Sequence, residues 1–145
     1  MQPEYYTKAI DIQITLKYNI IREVRHLYDI IFYEDSKGNK PVLNFIMQLA
    51  NSNGKDSRIK LKKVQEYIVV LQTYGATMGE PYMKHLDGDI WELRPVSDRI
   101  LFAALVDGKF VLLHQFAKRT QKTPKREIEQ AKRELEDFRE RSGLK

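Results

Sequence analysis

The chain has 145 residues, 42% of them hydrophobic, and a formal net charge of +5; this is the size of one domain with apolar side chains enough for a core, and it excludes wholesale disorder. The basic balance favours a polyanionic partner, while the absence of cysteine and the spacing of His26, His85 and His114 exclude disulfides and leave no ligand pattern for a metal, so neither metal nor cofactor is expected. No apolar run approaches the ~18 residues of a membrane span, and acidic and aromatic residues stand where a signal peptide needs an apolar block, so the expected setting is cytoplasmic, without membrane contact.

Residues 9–20 alternate strictly: Ile10, Ile12, Ile14, Leu16, Tyr18 and Ile20 fall on one side, with polar residues on the other. That period of two predicts a half-buried strand. Residues 27–34, rich in Ile, Phe and Tyr, predict a second strand. A polar loop follows, and Pro41 suits the first turn of a helix whose apolar stripe is Val42, Phe45, Ile46 and Leu49. Residues 51–54 break that helix. Asp56 is the expected N-cap of the next, with Leu61, Val64, Ile68 and Leu71 inside and Gly75 at the exit.

The remainder predicts a meander. Strands are expected over residues 90–95, 99–106 and 109–116, with Asp107-Gly108 as a tight two-residue turn. His85 falls in the approach to the first of these. Thr123 is the expected cap of a last helix, with Pro124 at its first position and Ile128, Ala131, Leu135 and Phe138 on its inner face. The fold class is therefore α+β: a small antiparallel sheet packed against an N-terminal helix pair and a C-terminal helix.

The charges of this meander exceed what a structural sheet needs. Glu92 and Arg94 share a strand face, Arg99 opens the next strand, and His114 and Phe116 share a face of the third. Lys118, Arg119, Lys122, Lys125 and Arg126 then follow without an intervening acid. A strand end that delivers cations to a helix start suits a phosphate. With simple hairpin register, Arg94, Arg99, Lys118 and Lys122 converge on one concave patch.

Three blocks carry a family resemblance. Lys84-His-Leu-Asp-Gly-Asp-Ile-Trp-Glu-Leu-Arg94 has the form K-x-L-x-G-x-(L/I)-W-E-L-R. Arg99-Ile-Leu-Phe matches R-(I/V)-(F/L)-(Y/F). Leu113-His-Gln-Phe-Ala-Lys-Arg-Thr-Gln-Lys-Thr-Pro124 matches L-H-x-F-x-K-K-T-x-K-T-P. In this order, over about residues 27–140, the chain resembles the HigB-type, phage-related branch of the RelE/ParE toxin superfamily. The resemblance implies a RelE-like fold and an mRNA interferase: a toxin that enters the ribosomal A site and cuts mRNA without metal, by attack of the RNA 2′-OH. It also implies a HigA-type helix-turn-helix antitoxin as partner, with operator DNA reached only through that antitoxin.

Such chemistry needs a base, charge stabilisation at phosphorus and a proton for the leaving oxygen. The resemblance and the residue chemistry together make Arg99, Lys118, Arg119, Lys122, His114 and Glu92 the catalytic candidates. Arg94, Phe116, Lys125, Arg126 and Lys84 are the RNA-binding candidates. Arg99 and Arg119 suit the phosphate clamp, since guanidinium matches phosphate geometry. The base is left open among His114, Glu92 and a lysine of the cation cluster. His114 also reads as a hydrogen-bonded structural histidine, Glu92 as a partner that positions Arg94 or Arg99, and Trp91 as a core anchor.

Members of that family begin near the strand that Leu27 opens. Residues 1–26 thus read as an extension with an extra strand, which adds to the sheet, forms a dimer or antitoxin contact, or stems from an upstream start codon; residues 27–145 read as the toxin domain. Two other functions share the scaffold: a ParE-like gyrase-inhibiting toxin, and a non-catalytic RNA- or ribosome-binding module.

Overall fold

Pro41, with φ fixed near the helical value, opens helix α1 (Pro41–Asn51) in a computed structural model that describes residues 27–145. The expected strand over residues 10–20 lies outside the described residues. Strand β1 (Asp29–Phe32) precedes α1. Helix α2 (Lys55–Tyr74), strands β2 (Met83–Asp87), β3 (Ile90–Leu93), β4 (Asp98–Leu105) and β5 (Lys109–Ala117), and helix α3 (Lys125–Ser142) follow. The five strands form one sheet in the order β1-β5-β4-β3-β2.

The meander strands pair antiparallel, as expected, but β1 runs parallel to β5, with Asp29 opposite Lys109 and Phe32 opposite Leu112. The sheet is therefore mixed. The helix pair forms the crossover between β1 and the meander, which ends with β5 beside β1.

Alternation along the strands divides the core in two. On one face Phe32, Met83, Leu93, Ile100, Phe102, Phe110 and Leu112 pack on α1 and α2 through Val42, Leu43, Ile46, Leu61, Val64, Ile68 and Leu71. On the other, Ile90, Leu101, Ala103, Val111 and Leu113 pack on α3 through Ala131, Leu135 and Phe138. Each large side chain buried this way contributes roughly 1.5–3 kcal/mol, so both helix layers are held by apolar contact. Trp91 packs with the first cluster and stacks on Phe102.

Three local readings need correction. Asp56 is not the cap of α2: Gly54 takes that position, and Asp56 lies in the first turn, where its charge favours the helix dipole. Thr123 does not cap α3. Pro124 is the residue before the helix, its carbonyl accepting from the Glu127 and Ile128 amides, and the Thr123 hydroxyl is used elsewhere. Residues 83–87 form an edge strand rather than an approach loop. Only Met83 of that strand is fully buried, which is why its sequence lacks clean alternation. No helix among the described residues is long and apolar enough to cross a membrane.

Candidate functional site: a cation-lined depression at the end of the sheet

One irregularity aims the site. β5 pairs Leu112 with Phe102 of β4, then His114 with Leu101, so Leu113 is an extra residue between them. An extra residue in one strand inverts the side-chain alternation beyond it. His114 and Phe116 consequently share the α3 face with Leu101 and Arg99, their register partners, and with Glu92, which pairs with Leu101 from the other side.

At this end of the sheet lies a depression of about 270 Å³, lined by Arg99, Phe116, the loop residues 117–124, Arg126 and Glu127. Arg99 forms its floor and is only 6% exposed. Its NH1 donates to the Val96 and Asp98 carbonyls, each at 2.9 Å, and its Nε lies 3.7 Å from Glu92 Oε1. NH2 has no hydrogen-bond partner among the described residues. Burial lowers the Arg99 pKa, and the carboxylate of Glu92 opposes that effect; a guanidinium keeps its charge in either case. A guanidinium that is almost wholly withdrawn from water, with its charge on the floor of a polar depression, suits an anion.

Glu92, 2% exposed, is the hub beneath. Oε1 faces Arg99 and, at 3.5 Å, Arg94 Nε, while Oε2 accepts from the Thr123 hydroxyl. Arg94 also donates from NH1 to Glu80 at 2.8 Å and does not line the depression. Of the four cations expected to converge, Arg99, Lys118 and Lys122 do so, joined by Arg119 and Arg126; Arg94 is drawn off by Glu80. The side chains of Lys118, Arg119 and Lys122 are exposed and make no ion pair among the described residues. Lys125 is exposed at the start of α3, and Lys84 is exposed on the edge strand opposite Glu92; neither lines the depression.

His114 is 4% exposed, and its two ring nitrogens meet two carboxylates of α3: Nδ1 to Glu134 Oε1 at 2.5 Å and Nε2 to Glu127 Oε1 at 3.1 Å. Burial disfavours its charge, but the hydrogen bonds and charges of Glu134 and Glu127 outweigh burial and raise the pKa above the usual value. The imidazole thereby ties α3 to the sheet. No group of three or more His, Asp or Glu among the described residues is arranged to hold a metal ion.

Sequence reasoning missed Glu127, Glu134 and the task of Thr123. The glutamates are seven residues apart, two helical turns, which puts them on one face. Their shared partner is visible only once the bulge has turned His114 toward α3.

A three-layer α+β domain with a cation-lined depression at one end of its sheet is a RelE-like fold. The sequence model of one protein family, phage derived protein Gp49-like (DUF891), matches residues 55–136, more than half of the chain and all of the site. The chain belongs to that family, a RelE/HigB-like family of toxins. Comparison with curated proteins gives no match.

Proposed function

We propose that this protein is the toxin of a type II toxin–antitoxin pair and acts as a ribosome-dependent mRNA endoribonuclease of HigB type. The observation that carries the reading is the depression itself: buried Arg99 lining it together with the exposed cations Lys118, Arg119 and Lys122. It is furnished for a phosphate and its developing charge.

In this reading a bound mRNA places one phosphodiester over Arg99. The 2′-oxygen attacks phosphorus, the bond to the 5′-oxygen breaks, and the products are a 2′,3′-cyclic phosphate and a 5′-OH end. Arg99 and Arg119 stabilise the charge that grows on the non-bridging oxygens. Lys118 and Lys122 orient the backbone; in the step itself one acts as the neutral amine that takes the 2′-OH proton, and the other, as ammonium, protonates the leaving 5′-oxygen. Phe116, half-buried at the rim, offers its ring to a base. His114 and Glu92 receive no proton-transfer role, because the nitrogens of the one and the oxygens of the other are already engaged by protein partners. Arg126 adds charge at the mouth, and Lys125, Lys84 and Arg94 extend the basic surface outside it.

The partner is proposed to be a HigA-type helix-turn-helix antitoxin, through which operator DNA is reached. The test is primer extension on a reporter mRNA in a translating extract. Cuts phased to codons, dependent on translation and reduced about 100-fold or more by Arg99→Ala, support the nuclease. Intact mRNA under conditions where translation proceeds refutes it, and gyrase assays then examine the topoisomerase-directed alternative.

A further inference from the structure

The loop of residues 118–124 carries three of the cations at the depression, yet little fixes it to the sheet. At its start the Lys118 amide donates to the Ser97 carbonyl at 2.8 Å, and the hydroxyl of Thr120 turns back on the Lys122 carbonyl within the loop. At its end the Pro124 carbonyl belongs to α3. Between these points one side-chain hydrogen bond joins loop to sheet among the described residues: Thr123 to the buried carboxylate of Glu92. That carboxylate is also the ion-pair partner of Arg99. One oxygen thus faces the buried cation of the sheet, and the other holds the loop that bears the exposed cations.

We propose that Thr123 is a positioning residue: its hydroxyl, seated on Glu92, latches the cation loop to the sheet so that Lys118, Arg119 and Lys122 address the same phosphate as Arg99. The catalytic part rests on the nuclease reading above. The latch itself rests on geometry. A hydroxyl bonded to a buried carboxylate is a charge-assisted bond, stronger than a neutral one. Lysine side chains lose considerable rotamer freedom when fixed, so a loop that is already placed leaves less ordering for the substrate to supply.

Thr123→Val keeps the shape and removes the donor, and Thr123→Ser restores it. The first measurement is hydrogen exchange of the full chain. Val at this position is expected to speed exchange at the Lys118 amide, the loop amide bonded to the Ser97 carbonyl, while β4 and β5 keep wild-type protection, and Ser to return it to the wild-type rate. The second is cleavage on programmed ribosomes, where Val is expected to lower kcat about 10-fold with KM within about 2-fold, and Ser to recover it. Unchanged loop exchange in the Val variant overturns the latch. Altered exchange with unchanged kcat overturns the positioning role. If the wild-type protein cuts no RNA, the nuclease reading has failed while the exchange result still decides the latch.

Discussion

Nε of Arg99 lies 3.7 Å from Oε1 of Glu92, and both side chains are almost wholly withdrawn from water. Each makes the burial of the other tolerable. Removing one member of such a pair leaves an uncompensated charge, a loss of about 3 kcal/mol. Glu92→Ala is therefore expected to lower the unfolding free energy by about that much in urea titration. An effect below roughly 1 kcal/mol would show the pair to be solvated.

The loop lysines stand apart from that network. Lys118→Ala and Lys122→Ala are expected to leave stability within about 0.5 kcal/mol, since both are exposed. Each should reduce the slope of log affinity against log salt for single-stranded RNA by about 0.7. Filter binding across a salt series reads this directly, and an unchanged slope would remove that lysine from the phosphate path.

His114 makes stability depend on pH with a definite sign. Its native pKa is raised above the ordinary 6.5, so the native state holds the proton more tightly than the unfolded chain does. The contribution is complete below the unfolded value and is lost as pH rises through the native one. The groups facing the ring are Glu127 and Glu134 of α3 and Phe116 of β5. Urea midpoints measured upward from pH 6 should fall in the wild type and fall less in Glu134→Gln.

Val96 has φ of 51°, in the left-handed region that β-branched residues avoid, and its carbonyl accepts from Arg99. Its side chain is 63% exposed, so little packing is lost on removing it. Val96→Gly is expected to stabilise the protein by about 0.5–1 kcal/mol, the relief of strain less the entropy of glycine. A destabilised variant would mean that the turn is not strained.

Gly75 ends α2 with φ of 67°, and a Cβ there would stand 2.9 Å from the Tyr28 ring. Gly75→Ala combines an unfavourable backbone with a clash against an aromatic side chain of the core edge. A loss of about 2 kcal/mol or more in thermal or urea unfolding is expected; a neutral substitution would show that Tyr28 moves freely aside.

The local elements were legible in the sequence because they are set by short-range rules. Short continuous apolar runs mark β4 and β5, an apolar stripe marks each helix, and the Asp107-Gly108 pair, both at positive φ, marks the hairpin between those strands. The run of cations from Lys118 to Arg126 is equally local, so its presence at a strand end and helix start could be read directly. What the sequence could not supply was any relation carried across the fold. The parallel pairing of β1 with β5 joins segments about 80 positions apart, and nothing in either segment's pattern names the other. The edge strand β2 hides because a strand with one buried residue has no alternation to show. Thr123 has the chemistry of a helix cap, yet buried Glu92 offered its hydroxyl a stronger, charged acceptor. His114 faces α3 only because Leu113 is an extra residue against β4, a register shift that no residue spelling announces. Sequence alone determined which side chains were available; tertiary structure decided which of them share a buried carboxylate, since burial strengthens polar contacts and makes every unpaired charge costly.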